Sequence, residues 1–159
     1  KVLILMGSAS DEETMREAAK VLQGYGISHR MTLASAHRSP ARAQALARNA
    51  ERDGYAVVIC GAGMAAHLAG VIAAETVLPV IGVPIGGGGP KCPGAPFSTP
   101  QMAGGRTEAT IGHRRGGARN APVFCAQILG MGAVVAGGRP PAAASREDER
   151  AARRPPEDR

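Results

Sequence analysis

The sequence predicts an α/β fold in which helices cover both faces of a central parallel sheet, in three layers. Apolar runs too short to be helices alternate with segments in which apolar residues recur every three or four positions. Turns containing glycine or serine join each run to the segment that follows it. The 159 residues include 22 glycines and only 3% aromatic residues. An aliphatic, glycine-rich composition is typical of a buried parallel sheet with closely packed helices, and the length suits one domain.

The first unit begins with the apolar run 2–6, which has the pattern of a central strand. The turn 7–11 leads from it into a helix that ends near Gly24 and Gly26. Early acidic residues in that helix complement the positive end of the helix dipole. The apolar face of the helix consists of Met15, Ala18, Ala19 and Leu22.

The following units repeat this order. A strand around 28–34, the turn 35–39 and a helix that stops near Asp53 and Gly54 form the second unit. In the third, the strand 57–60 and the turn 61–64 precede a helix over 64–74. A fourth strand lies at 80–83. Successive strand–turn–helix units predict right-handed crossovers and one parallel sheet.

Three turns are expected to meet at one edge of the sheet. In open parallel sheets, ligands bind at the carboxyl ends of the strands, beside the point where the strand order changes direction. The turns 7–11, 35–39 and 61–64 all follow strands and would open onto that edge. Their convergence is the main physical argument for a site.

The second of these turns carries His37 and Arg38 at the start of a helix. Ser39 suits the N-cap and Pro40 the first helical position, where the missing N–H costs nothing. Free backbone N–H groups and the dipole favour an anion there. The same positive end favours an uncharged imidazole that can accept a proton. The turn therefore predicts an anion-binding group beside a proton acceptor, although such a pair taken alone is more often only solvated.

The other two turns have weaker motifs. The turn 7–11 lacks the GxGxxG dinucleotide pattern and the lysine of a P-loop, and the glycines at 61 and 63 form a common kind of turn. The serines at 8, 10 and 35 are equally interpretable as helix caps, and Asp11 as a first-turn carboxylate. Beside a phosphorylated sugar, however, Asp11 and serine hydroxyls would suit ribose. His67 is interpreted as a structural histidine.

Charge and cysteine content narrow the function classes. The net charge of +6 is concentrated in 86–138, which holds five basic residues and one acidic residue. Without stacking aromatics on a recognisable module, this excess does not indicate nucleic-acid binding. Nothing approaches the ~18 apolar residues of a membrane span, and no signal-peptide pattern is evident. Cys60, Cys92 and Cys125 lack CxxC spacing and are interpreted as reduced thiols. We expect a cytoplasmic protein without membrane or nucleic-acid partners.

The motifs together resemble the PurE family. The segments GSASD at 7–11, SAHRSP at 35–40 and GAGMAAHL at 61–68 occur in the family's order and spacing. The segments 72–74, 78–84 and 126–129 extend the likeness. The resemblance implies a flavodoxin-like three-layer α/β/α fold and a homo-octamer with sites between subunits.

The resemblance also implies a reaction of purine synthesis. The family converts 5-carboxyamino-1-(5-phosphoribosyl)imidazole to the isomer with its carboxylate on ring carbon 4, and the third turn resembles the mutase branch. The implied path is decarboxylation in a closed site, recapture of carbon dioxide by the ring carbon and loss of that carbon's proton. No metal or organic cofactor is implied.

Residue roles follow from the same resemblance. His37 would be the general acid/base that handles the protons. Ser10, Ser35 and Arg38 match positions that hold the phosphate, and Asp11 matches one that holds the ribose.

The carboxylate and the ring would meet a further part of the same edge. By resemblance, Ser8 and the backbone of Gly61, Ala62 and Gly63 form this part. Ala36 belongs to the same substrate-binding set.

The second half departs from the family. We expect a PurE-like domain over 1–132 with a divergent loop at 86–105, whose prolines disfavour the family's short helix. A fifth strand is expected over 107–111 and a helix near 116–130, with Pro122 tolerated only in the first turn. Residues 133–159 are rich in Arg, Pro, Ala, Glu and Asp and are expected to be a disordered or aberrant tail.

Two other functions remain open from the sequence. One is the related carboxylase, which takes free carbon dioxide and the uncarboxylated aminoimidazole ribonucleotide. The other is a protein that keeps a phosphoribosyl-binding pocket without catalysis, which the divergent second half suggests.

Overall fold

Five strands form one sheet in the computed structural model, which describes residues 1–63, 67–86 and 107–135, with side chains as far as 131. The strands are β1 (Val2–Met6), β2 (His29–Leu33), β3 (Val57–Ala62), β4 (Val80–Pro84) and β5 (Ala109–Thr110). Every neighbouring pair is parallel. Their order is β2-β1-β3-β4-β5, so the order changes direction between β1 and β3. This order is the flavodoxin-like one and confirms the predicted fold class.

Helices cover both faces of this sheet. A 3₁₀ turn (Ala9–Asp11) leads into α1 (Glu12–Gly24), and α2 (Pro40–Asn49), α3 (Leu68–Glu75) and α4 (Arg114–Val135) follow. One core cluster joins α1 and α4 to the sheet, and a second cluster joins α2 and α3 to its other face. The three layers are therefore confirmed.

The central strands supply both cores by the alternation of their side chains. In β1, Leu3 and Leu5 face α2 and α3, whereas Val2, Ile4 and Met6 face α1 and α4. All five residues of β1 are buried, as are all residues of β3 and β4. Burial on both faces explains why these strands read as continuous apolar runs rather than as alternating ones.

Two helix boundaries differ from the predicted ones. The second helix ends at Asn49 rather than near Gly54, because the chain turns where Gly54 adopts a φ of +81° and Tyr55 donates its N–H to the Ala50 carbonyl. The third helix begins at Leu68 rather than at 64, and residues 64–66 lie outside the described part.

The last strand and the last helix also differ from expectation. The fifth strand exists but has two residues, not the five of 107–111. The helix α4 begins at Arg114, so Pro122 lies in its interior and not in its first turn. Proline there removes one backbone hydrogen bond, but burial of Ala118, Ala121 and Cys125 against the sheet stabilises the helix on both sides of it. The loop 86–105 beyond Gly86, and the tail beyond 135, lie outside the described residues, so the domain boundary at 132 stays a prediction.

Within the part of the chain that the structure describes, no helix combines the length and the apolarity needed to cross a membrane.

Candidate active site

Three turns at the carboxyl edge of the sheet enclose a cavity of about 520 Å³. This volume lies in the usual range of small-molecule pockets, roughly 300–1,000 Å³. The turns after β1 and β3 flank the point where the strand order changes direction, which is where ligands bind in such sheets. The lining residues are Gly7, Ser8, Ser10, Asp11, Ser35, Ala36, His37, Arg38, Ala62, Gly63, His67 and Leu68.

The first turn is held by a capping box. The Ser8 N–H donates to Oδ2 of Asp11 over 2.9 Å, and the Ser8 hydroxyl accepts the Ser10 N–H. The Ser10 hydroxyl donates to Oγ of Ser8 over 2.9 Å. Ser8 is thus a cap and Asp11 a first-turn carboxylate, as the alternative interpretation proposed, whereas Ser10 caps no helix and only donates to Ser8. All three residues also line the cavity.

Asp11 is a buried carboxylate beside a cation. Its relative exposure is 5%. Burial raises the pKa of the Asp11 carboxyl, while the Ser8 N–H and the Arg38 guanidinium oppose that rise. The carboxylate is therefore fixed in place by the fold before any ligand arrives.

The second turn is fixed by serine hydroxyls. Ser35 Oγ accepts the Arg38 N–H over 3.1 Å. Ser39 occupies the N-cap and Pro40 follows it, as predicted, but the Ser39 hydroxyl donates to the Ser35 carbonyl instead of capping the helix. The Ser39 side chain therefore caps none of the first N–H groups of α2, and such groups can bind an anion.

Arg38 connects the second turn to the first. Its guanidinium donates to the Gly7 carbonyl over 3.4 Å, and its charge acts on Asp11. The side chain is exposed at the mouth of the cavity. It therefore presents a cation to any ligand that enters.

The third turn depends on close packing of backbone. A Cβ on Gly63 would lie 2.7 Å from the Ile85 carbonyl oxygen, so this position brings the turn against the end of β4. A Cβ on Gly61 would overlap Sδ of Met15 in α1. Gly61 also accepts the Gly7 N–H over 2.9 Å, which ties the first turn to the third.

His67 is the functional candidate that sequence reasoning missed. It was expected to be a structural histidine, but it is exposed in the cavity. Its Nδ1 lies 3.3 Å from Nε2 of His37, and the ring planes meet at 86°. The available signal was its place directly before α3, because that helix begins at the same sheet edge as the other turns.

The structure brings together nine of the ten site residues predicted from the sequence. The exception is Gly61, which packs against Met15 and does not line the cavity. Gly7, His67 and Leu68 line it without having been predicted. The roles assigned to all these residues stay predictions.

The arrangement combines groups suited to an anion with groups suited to proton transfer. Arg38 and the hydroxyls of Ser8 and Ser10 line the cavity and can bind an anionic ligand. The two imidazoles can hold or pass a proton. No cluster of three or more His, Cys, Asp or Glu residues with metal-site geometry occurs among residues 1–63, 67–86 and 107–135.

Known proteins resemble this chain over most of its length. The sequence model of the AIR carboxylase family matches residues 1–137. The N5-carboxyaminoimidazole ribonucleotide mutase of Thermotoga maritima is 45% identical over 131 residues, or 82% of this chain and 75% of the relative. The mutase of Pyrococcus abyssi is 47% identical over 81% of this chain and 73% of the relative. That of Escherichia coli is 42% identical over 81% of this chain and 76% of the relative.

A solved structure agrees in fold. Treponema denticola PurE superposes with a TM-score of 0.71 at 23% identity, over 82% of this chain and 80% of that one. Its likeness concerns the fold alone, whereas the family match spans the three turns and the strands that carry them. The chain belongs to the AIR carboxylase (PurE) family.

Proposed function

We propose that this protein is an N5-carboxyaminoimidazole ribonucleotide mutase, an isomerase of purine biosynthesis. The observation that carries the proposal is the single cavity edge shared by His37, Arg38, Asp11 and the serines of the first two turns. Relatives at 42–47% identity that bear this name support it. The substrate is a phosphoribosyl imidazole whose carboxylate moves from the exocyclic nitrogen to ring carbon 4.

Substrate binding is assigned to the pre-formed polar groups. Arg38, Ser10 and Ser35 hold the phosphate, since they supply a cation and two hydroxyls to the same cavity. Asp11 accepts ribose hydroxyls with the carboxylate oxygens that its cap leaves available. Ser8, Ala36 and the backbone at Ala62 and Gly63 surround the carboxylate and the ring. Gly61 acts indirectly, by holding the third turn against α1.

His37 moves the protons of the reaction. The bond between the exocyclic nitrogen and the carboxyl carbon breaks and carbon dioxide is released, while the nitrogen takes a proton from the protonated imidazole of His37, which becomes neutral. Ring carbon 4 then attacks the carbon dioxide, and the neutral imidazole removes the proton from that carbon. The proton count balances, so neither a net proton nor a redox partner is needed. His67 is placed to orient the His37 ring through the 3.3 Å contact between their nitrogens.

The test separates mutase, carboxylase and binding protein. The purified full chain is mixed with the carboxyamino substrate, and product is followed above the spontaneous background. A parallel reaction contains the uncarboxylated aminoimidazole ribonucleotide with bicarbonate and carbon dioxide. Turnover of the carboxyamino substrate alone is expected. Turnover only in the second reaction would identify the carboxylase, and saturable binding without either would identify the non-catalytic protein.

We further propose a homo-octamer in the cytoplasm. Exposed apolar side chains support assembly, since Val77 is 86% and Met131 68% exposed in the single chain. Cys60 and Cys125 are unpaired and buried, which suits a reducing compartment. Light scattering is expected to give eight copies of the 16.2 kDa chain, about 130 kDa. A mass of 16.2 kDa at assay concentration would exclude the octamer.

A further inference from the structure

The two histidines of the cavity have the spacing of a metal chelate. Nε2 of His37 and Nδ1 of His67 lie 3.3 Å apart. Two nitrogens bound at roughly 2.0–2.1 Å to one tetrahedral metal ion would lie about 3.3–3.4 Å from each other. The observed separation of the two nitrogens therefore matches the one that a shared tetrahedral ion requires.

The surroundings leave room for such an ion. Both histidines are exposed and line the cavity of about 520 Å³. Their rings meet edge-on, with centroids 5.4 Å apart, so neither ring stacks over the other and covers its nitrogen edge. The cavity can supply water as the remaining ligands, which a site with two protein ligands requires.

The backbone also holds the pair in place. His37 lies in the turn fixed by Ser35 and Ser39, and His67 directly precedes α3, where the Val71 N–H donates to its carbonyl over 3.1 Å. Because the fold already holds the two histidines side by side, an ion bound to one ring meets the second at a high effective concentration, which raises its affinity.

We propose that His37 and His67 bind one divalent transition-metal ion, such as Zn²⁺, Ni²⁺ or Cu²⁺, in the cavity. Imidazole selects these ions over Mg²⁺ and Ca²⁺, which prefer oxygen ligands. Affinity follows the order Cu²⁺ above Ni²⁺ and Zn²⁺, then Co²⁺, then Mn²⁺. If the function proposed above holds, the ion is an inhibitor, since it occupies the nitrogen through which His37 would exchange protons.

The alternative is that the contact is only a hydrogen bond in which one ring donates to the other. That arrangement accounts for the same 3.3 Å distance without any metal. The two interpretations differ in what they predict for added ions, because a hydrogen-bonded pair without chelating geometry binds them no better than a lone exposed histidine.

The experiment is calorimetric titration of the substrate-free full chain with Zn²⁺, Ni²⁺, Cu²⁺ and Mg²⁺. It uses a Cys92→Ser background, since a thiol can itself bind these ions; Cys60 and Cys125 are buried. We expect one ion per chain in the stated order and no heat for Mg²⁺. His37→Asn and His67→Asn should each weaken binding by about tenfold or more, because either change destroys the chelate. His113→Asn, at an exposed position outside the cavity, is the matched control.

The proposal would be overturned if either His37→Asn or His67→Asn bound the metal ion as tightly as the wild type does. Unfolding curves of the two variants verify that lost binding is not lost structure. Because the titration contains no substrate, its outcome is independent of whether the chain is a mutase. Inhibition by Zn²⁺, reversed by a chelator, then tests the consequence for turnover separately.

Discussion

The cavity edge of the sheet, at the carboxyl ends of β1, β2 and β3, differs from the lateral edge formed by β5 in how its polar groups are paired. At the β1 end, Asp11 is buried but accepts a backbone N–H from Ser8, and Ser35 binds the Arg38 N–H. At the β5 end, Oε2 of Glu108 is buried and has no hydrogen-bond partner among the residues that the structure describes. Unpaired buried polar atoms are costly, whereas paired ones fix geometry. The first edge is therefore pre-organised for a ligand. Burial raises the pKa of a carboxyl at both edges, but only at the first do a backbone N–H and a guanidinium oppose that rise.

The two edges also differ in how they are attached to the rest of the molecule. The three turns of the cavity are connected by backbone contacts, such as the Gly7 N–H to the Gly61 carbonyl. The β5 side is held by a strand of two residues, by apolar packing of α4 and by an ion pair between Arg115 and Glu13. An exposed ion pair contributes little, about 0–1 kcal/mol. Apolar packing of α4 therefore stabilises this side most.

The largest effect is expected on turnover when His37, in the middle of the cavity edge, is replaced. His37→Asn keeps the approximate shape but removes proton transfer, so kcat should fall by roughly 10²–10⁴. Substrate binding should be kept, because Ser35 and Arg38 are positioned by their own hydrogen bonds. Steady-state turnover and equilibrium binding measured together test this. Turnover within about threefold of wild type would exclude the proposed role.

Arg38→Ala should weaken the binding of the phosphorylated substrate by about 1.5–3 kcal/mol, the value of a charge-assisted contact. Arg42 is the matched control, since it lies on the same helix start but binds the Leu33 carbonyl and the Thr32 hydroxyl. Arg42→Ala should leave KM near the wild-type value. Equal losses in the two variants would mean that net positive charge, not the position of Arg38, attracts the ligand.

The contact between the third turn and α1 is tested at Gly61. A new Cβ would clash with the buried Met15 side chain, so Gly61→Ala should destabilise the fold by about 1–3 kcal/mol. Gly24, at the end of α1, has no atom within 4 Å of such a Cβ, and Gly24→Ala should be neutral or slightly stabilising. Urea unfolding at equal protein concentration measures both. A stable Gly61→Ala variant would contradict the close packing described here.

Most residues of the cavity could be predicted from the sequence, because its turns follow strands that can be recognised as apolar runs. The parallel topology brings such turns together, so Ser8, His37 and Gly63 could be placed on one edge without coordinates. The part that sequence reasoning does not give is side-chain packing between elements. Gly61 packs on Met15, and His67 faces His37 across 30 positions of sequence, contacts that periodicity does not encode.

The second half was harder to predict for a related reason. Pro122 was placed in the first turn of its helix because an isolated helix would not tolerate it elsewhere. The structure keeps it inside α4, where burial of Ala118 and Cys125 outweighs one missing hydrogen bond. Local preferences give way where tertiary packing is extensive, and the sequence of one helix does not report that packing.

The smallest effect is expected at the β5 edge, where burying the Glu108 carboxylate lowers the free energy of unfolding. Burial raises the pKa of Glu108 to about 7 from its usual value of 4.5. The folded state thus binds a proton more tightly than the unfolded state, and stability falls as the pH rises between these two values. Because Glu108 is only half-buried, the loss should be about 1 kcal/mol.

Glu108→Gln removes the ionisation, so its free energy of unfolding should decline less than that of the wild type between pH 5 and pH 8. The control is Glu51→Gln, at an exposed position in the turn after α2, which should keep the wild-type dependence. Comparing the differences between the two pH values cancels titrations common to all three proteins, including that of Asp11. If Glu108→Gln declines as steeply as the wild type, the unpaired carboxyl costs nothing and the two edges are electrostatically alike. If it declines less, the β5 edge contains a destabilising charge, whereas at the cavity edge the Ser8 N–H and the Arg38 guanidinium offset part of the cost of burying Asp11.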